Sequence, residues 1–399
     1  MVFTVSMGMR STFGVYFKSI ESDFGLTRGA TSGIFSLYML LCVPVSIMSG
    51  WVLDRYGPRM VTFLMGSTIG LSLLLASQTS AAWQLYISYG LLLALGTGGT
   101  FPLVTSTVSR WFYKKRGLAL GIVTSGGGLG PVILAPFATY LISNFSWRMA
   151  LVVTGLIAWF IIASLSLLMR KDPGDMGLLP DGAKSPVAQT GLHNEKDKTQ
   201  LTGMSFMQAF RTRNFWLLGL VWLFLSFNVH MILTHIVPHA TDIGISPMDV
   251  AIVVSVMGGV SILGRLALGR IPDAAGSKLP AITCAILLVG ALLWLTWSNS
   301  LWMFYVFAVL FGFVWGGLST AVTALVGDIF GVRSIGTILG AVNAGWSLGG
   351  AIGPAVAGFT FDASGSYFIA FATGAVAMLL ATFFVSLIRR ENYVRNEQQ

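Results

Sequence analysis

The stretch Gly50-Trp51-Val52-Leu53-Asp54-Arg55-Tyr56-Gly57-Pro58-Arg59 returns, 219 positions later, as Gly269-Arg270-Ile271-Pro272-Asp273-Ala274-Ala275-Gly276-Ser277-Lys278. Both copies read G-x3-D-x2-G-x-[R/K], and both stand between long apolar runs. At the same offset, residues 1–169 hold 20 glycines and residues 220–388 hold 21. Nine of these pair, Gly25/Gly244, Gly126/Gly345 and Gly130/Gly349 among them, where chance pairing gives about 2.5. Asp54/Asp273, Trp83/Trp302 and Tyr86/Tyr305 share the offset. The chain is therefore two copies of one design.

The material between the copies is membrane material. Of 399 residues, 55% are hydrophobic and only 10% charged, against roughly 25% charged in an ordinary soluble domain. This excludes a soluble enzyme, a disordered chain and a secreted disulfide scaffold. Cys42 and Cys284 both lie in apolar stretches, so no disulfide framework and no cysteine metal site is implied. Apolar runs fall near 1–19, 30–53, 60–77, 83–108, 118–142 and 147–169, and again near 214–238, 248–269, 279–297, 301–326, 335–359 and 366–388. Each is long enough to cross a bilayer core of about 30 Å. Backbone groups in lipid must be satisfied within the segment, so these runs predict helices. The expectation is an all-α membrane protein of twelve transmembrane helices in two parallel-repeat six-helix bundles, 1–169 and 214–390. A cytoplasmic linker over 170–213 and a tail over 391–399 complete it. Six spans per half is even, so both halves enter from one side, which puts a substrate site between them near the midplane. Asn214, where span seven starts, has its counterpart before Met1. The first span is thus short, or its true start lies upstream; it lacks the basic start and cleavage site of a secretory signal.

The net charge of +9 has an explanation in topology. With both termini and the linker in the cytoplasm, 19 of the 24 basic residues face that side and three, Lys18, Arg28 and Arg148, face the other. No nucleic-acid partner is needed. The partners expected are the lipid bilayer and a small solute, with a monomer as the functional unit in a bacterial inner membrane.

The repeated loop resembles the signature of the major facilitator superfamily. Gly50 would let two helices approach closely, and Gly57 would supply a left-handed turn. The resemblance implies a cytoplasmic gate built by Asp54, Arg55, Gly57, Arg59, Asp273, Gly276 and Lys278. Trp111-Phe112-Tyr113-Lys114-Lys115-Arg116-Gly117, running on to Gly121 and Gly126, resembles the monocarboxylate transporter family, to which bacterial oxalate/formate exchangers are related. Gly117-x8-Gly126-x3-Gly130-Pro131 is similar to the superfamily's antiporter signature, but Leu134-Ala135 replaces its terminal glycine pair, which weakens the case for exchange.

Two basic residues remain inside spans, Arg10 and Arg265, with no acid at comparable depth. A central Arg costs about 2.5–3.5 kcal/mol on insertion scales, so it faces an aqueous cavity. Its planar fork suits a carboxylate. Relatives in the monocarboxylate family carry an Arg at the place of Arg265 and a Lys near that of Arg10, which implies carboxylate binding. Ser261 stands where animal carriers have the acid implicated in proton coupling, and with Asn343 it is expected to offer the bound anion hydrogen bonds. The lysine that oxalate exchangers have in span eleven is absent around Asn343 and Trp346. His230, beside the repeat counterpart of Arg10, serves as an anion ligand, a proton carrier or a packed core residue. Asn343, Trp346, Phe101 and Trp315 line a cavity or pack. His235 and His239 are too few to hold a metal. No P-loop and no catalytic constellation occurs, so neither an enzyme nor an ATP-driven pump is expected, and no cofactor. The expectation is a secondary transporter of lactate- or pyruvate-like monocarboxylates, moved with a proton by alternating access. The alternative is an anion exchanger for dicarboxylates such as oxalate/formate.

Overall fold

The computed structural model describes residues 1–112, 116–176, 203–269, 277–331 and 335–388. Among them the chain is helical throughout, with a single isolated bridge between Gly203 and Gly331. Among the described residues ten helices are long and apolar enough to cross a membrane: Arg28–Leu53, Arg55–Ser77, Ala82–Val108, Ala119–Asn144, Trp147–Leu168, Arg213–Asp242, Pro247–Leu268, Lys278–Thr296, Leu301–Phe330 and Phe368–Leu387. The remaining two spans are interrupted. Span one consists of Val2–Ser11 and Phe13–Phe24. Span eleven consists of Ile335–Val342 and Ala344–Ser364. We number the spans one to twelve in chain order.

Several helices outrun the apolar stretches that define them. Span one continues to Phe24 and span ten to Phe330, because polar residues such as Glu21 and Asp328 extend a helix once it has left the apolar layer. Side-chain caps fix many starts: Thr27 accepts from Ala30 N, Ser146 from Met149 N, Thr212 from Phe215 N and Ser246 from Asp249 N, each satisfying an otherwise orphaned donor. Gly25 and Gly244, a pair at the repeat offset, follow spans one and seven with φ of 58° and 95°. The repeat thus preserves a backbone requirement.

The repeated glycines also do the same work in each half. A Cβ on Gly126 or Gly130 would strike Thr4 or the Gly8 backbone, seating span five on span one. A Cβ on Gly345, Gly349 or Gly353 would strike the backbone at Gly219, Leu223 or Phe227, seating span eleven on span seven. Small residues spaced by four let two backbones touch, which is how membrane helices associate without a hydrophobic drive between them.

Two local expectations are corrected. Gly57 has positive φ, 79°, but its ψ of 166° is extended and not left-handed helical; this region is open essentially to glycine alone. Gly50 makes no close approach, since a Cβ there meets nothing within 4 Å. Gly50 stands, with nothing among the described residues brought against it, at one end of the helices. Arg55, Arg59, Arg170, Lys171 and Lys278 mark it as the basic end of the bundle. Gly121, Gly336 and Gly340, toward the same end in spans five and eleven, are equally unopposed. The halves are in contact where span two packs on span eleven, span five on span eight and Phe13–Phe24 on span seven, and at the far end Asp362 accepts from the Arg28 and Gly29 N–H groups.

Candidate functional site

The break in span one positions the first group. Thr12 interrupts the helix, and the Met9 carbonyl receives the Thr12 hydroxyl at 3.0 Å and the Tyr89 hydroxyl at 3.3 Å. Tyr89 reaches it from a π-helical segment, Tyr86–Leu92, inside span four. The freed Ser88 carbonyl accepts from Ser72 Oγ at 2.7 Å. Beyond the break, Gly14 lies so close to the Leu233 carbonyl that a Cβ could not fit. Arg10 is thereby brought to span seven, where its Nη2 donates to His230 Nε2 at 2.7 Å.

His230 is 3% exposed. Its Nδ1 lies 2.9 Å from both Ser226 Oγ and Ser226 O. Ser226 Oγ in turn donates to the Trp346 carbonyl in span eleven. The imidazole ring meets Trp346 edge-on at 5.3 Å and Phe35 at 5.9 Å. Arg10, His230 and the start of the longer span-eleven helix, just beyond Asn343, therefore form one group. Asn343 is half-buried at the helix break, its N–H bonded to Leu339 O.

Arg265 anchors a second group across spans five, eight and ten. Its Nη1 donates to Thr124 O at 2.7 Å, and its guanidinium lies 5.9 Å from the Trp315 ring centre. Arg265 Nε and Trp315 Nε1 are buried donors with no acceptor, as is Arg10 Nε. The ion pairs found among the described residues include neither arginine. Gly127 connects the groups: a Cβ there would lie 3.7 Å from Arg265 Nη1, 3.2 Å from Phe3 Cε1 and 3.9 Å from Met7 Cγ. Met7 precedes Arg10 by one helical turn. Phe101, 43% exposed, faces Phe3 with ring centres 6.4 Å apart. The arrangement presents cationic N–H groups amid aromatic surface, with no fixed anion. Ser261, one helical turn before Arg265, is fully buried in the same seam of spans five, eight and ten, and its hydroxyl donates to Gly258 O at 2.7 Å.

At the basic end, Arg55 lies over the rings of Trp51 and Tyr56. Arg55, Gly57 and Arg59 share a basic pocket of about 270 Å³ with Arg170 and Lys171. Lys278 donates to Ser386 O and Ile388 O at 2.7 and 2.6 Å, capping the last helix as a cation at a helix C-terminus does. Asp273, Gly276 and the side chain of Asp54 lie outside the described residues, as do Tyr113, Lys114 and Lys115.

The far end carries a network that sequence reasoning missed. Arg28, 7% exposed, opens span two. Its Nη2 pairs with Asp242 at 2.6 Å, its Nε with Glu21 at 3.3 Å, and its Nη1 donates to Tyr367 Oη at 2.7 Å. Its guanidinium stacks 3.7 Å over Phe361. The Asp362 carboxylate accepts from the Arg28 and Gly29 N–H groups at 2.9 and 2.7 Å. Lys18 also pairs with Asp242, at 2.6 Å. His235 bonds Ser32 Oγ and Tyr367 Oη, both at 3.0 Å, and His239 packs on Tyr367, Phe304 and Phe371. Arg28, Lys18 and Ser32 belong to the first half, their partners Asp242, Asp362, Tyr367 and His235 to the second. The available signal was charge complementarity: basic groups at the far ends of spans one and two, acids at those of spans seven and eleven.

The family model described as Major Facilitator Superfamily matches residues 1–282 and 243–399. Monocarboxylate transporter 12 of Xenopus laevis is 25% identical over 405 residues, covering 96% of this chain and 86% of that protein. Monocarboxylate transporter 13 of Rattus norvegicus is 28% identical over 385 residues, covering 94% and 83%. Among solved structures, a D-xylose-proton symporter matches with a TM-score of 0.75 at 14% identity, covering 98% of this chain and 96% of that one. A bacterial homolog to the human lysosomal transporter Spinster, inward-facing and unoccupied, matches with a TM-score of 0.65 at 18% identity, covering 97% and 93%. At these identities the solved structures bear on the fold alone.

Proposed function

The chain belongs to the Major Facilitator Superfamily, and from that premise we propose that it carries small organic monocarboxylates, of the lactate or pyruvate kind, together with a proton. One observation carries the reading: three buried N–H donors, Arg265 Nε, Trp315 Nε1 and Arg10 Nε, lack an acceptor. A buried donor left unmade costs about 1–3 kcal/mol, more when charged. A carboxylate between Arg265 and Trp315 supplies an acceptor to two of the three, and the Phe3–Phe101 pair accepts a short apolar substituent. Relatives named monocarboxylate transporters support the same cargo. The lysine that oxalate exchangers carry in span eleven is absent around Asn343 and Trp346, which favours one carboxylate per cargo over the oxalate-like alternative.

The basic end is the cytoplasmic end on this reading, because positive residues collect there. The conformation is then open to the cytoplasm and sealed outside by the Arg28 network. The halves 1–169 and 214–390 rock about the site in a monomer of a cytoplasmic membrane, joined by 170–213. Binding tests the cargo. Lactate should raise the melting temperature of the purified protein, and its uncharged isostere lactamide should not. Equal stabilisation by both would remove the carboxylate from the account.

A further inference from the structure

The hydrogen bonds around His230 have only one consistent direction. A guanidinium donates and never accepts, so the bond from Arg10 Nη2 to His230 Nε2, at 2.7 Å, requires a lone pair on Nε2. The ring hydrogen must then be on Nδ1, which lies 2.9 Å from Ser226 O and Ser226 Oγ. Ser226 spends its own hydrogen on the Trp346 carbonyl. The chain of donation runs from span one through span seven to span eleven. In this conformation His230 is neutral, and a proton cannot enter at Nε2 while Arg10 is there.

Arg10 is in the first half and His230 in the second, so their contact depends on how the halves are placed. We propose that His230 Nε2 carries the transported proton, and that Arg10 drives it off when the halves adopt the conformation seen here. This deepens, and rests on, the proton-coupled reading above. With the halves rearranged, Nε2 is separated from Arg10 and takes a proton from the outer aqueous path. The imidazolium and Arg10 then both attract the carboxylate. On return to the present conformation, the guanidinium displaces the proton from Nε2 into the cavity water, and Nδ1–H stays with Ser226. Arg10, now bonded to the neutral imidazole, no longer attracts the carboxylate, which leaves Arg265 for the cavity water in the same movement. Proton and anion leave together because they compete for the two ends of one hydrogen bond.

The surroundings leave His230 free to act this way. Phe35 faces it from span two and Trp346 from span eleven. Gly350 backs the ring, where a Cβ would lie 2.9 Å from Nδ1. Ser226 is its neighbour on its own helix, and Arg10 is the charged group that meets it. The other ionisable side chains near Arg10, Tyr38 and Cys42 of span two, are a phenol and a thiol. None of these offers a carboxylate to take the proton instead.

The test uses the full protein in liposomes, with protein-free liposomes subtracted for passive entry of the acid. For one proton per anion, a gradient of one pH unit supports about tenfold accumulation of lactate. His230→Gln keeps an acceptor for Arg10 but cannot be protonated. It is expected to retain measurable, slower counterflow, while the acid-driven accumulation falls from about tenfold to about onefold. Gradient-driven accumulation that persists in His230→Gln overturns the assignment. If the wild type itself carries lactate but ignores the gradient, the proton-coupled reading fails and this inference with it, which is a different result. A second readout does not depend on transport. Protonation of the ring against Trp346 should quench tryptophan emission on acidification, and the quench should vanish in both Trp346→Phe and His230→Gln. An unchanged quench in His230→Gln counts equally against the proposal.

Discussion

A buried guanidinium nitrogen with nothing to donate to is costly, and Arg265 keeps one beside Trp315. Replacing Arg265 by Gln should weaken lactate binding about 10- to 100-fold, the loss of one charge-assisted interaction of about 1.5–3 kcal/mol. Arg265→Lys retains the charge but not the fork, and should bind between the two. Isothermal titration checks the order; equal affinity in all three would remove Arg265 from the site. Arg265 was legible in the sequence because nothing around it in span eight is charged. Arg28 was not, although the structure gives it more partners. An arginine at the end of a span is ordinary, and its partners Asp362 and Tyr367 stand 334 and 339 positions away. Only the fold brings them together. His230 was legible as a position and not as a role, since the Arg10 contact that fixes its tautomer spans 220 residues.

Elements behave as their seams dictate. A side chain on Gly316 would run into the Ser261 carbonyl, and one on Gly264 into the Phe313 carbonyl, so spans eight and ten touch backbone to backbone. Gly316→Leu should lower thermal stability by about 1–3 kcal/mol through overpacking, and would count against this seam if it melted like the wild type. Gly57→Ala should cost about 1–3 kcal/mol for a different reason, its positive φ. The interruptions in spans one and eleven had no counterpart in the apolar pattern. Thr12 and Asn343 are neither proline nor glycine, and periodicity does not register a break whose freed carbonyl is satisfied by a tyrosine 80 residues away. The repeat, by contrast, was visible because glycines that seat one helix on another leave the same spacing in both halves.

For the whole molecule, two sets of contacts oppose each other. The far end is held by Arg28, Lys18, Asp242 and Asp362, while at the basic end Gly50, Gly121, Gly336 and Gly340 are unopposed. Arg28→Gln removes the cation that pairs with Asp242 and Glu21 and the donor to Tyr367, leaving Asp362 its two backbone N–H bonds, and should shift the population toward a far-end-open form. Spin labels on the far ends of spans two and eleven would then show a longer distance component; an unchanged distribution would mean the seal lies elsewhere. Movement of a small monocarboxylate with a proton is read by uptake into proteoliposomes. Labelled lactate is offered with and without an acidic exterior, and protein-free liposomes are subtracted. The account predicts protein-dependent accumulation, about tenfold for a gradient of one pH unit, abolished by a protonophore. Protein-dependent uptake that ignores the gradient, or no uptake of any monocarboxylate, would contradict it.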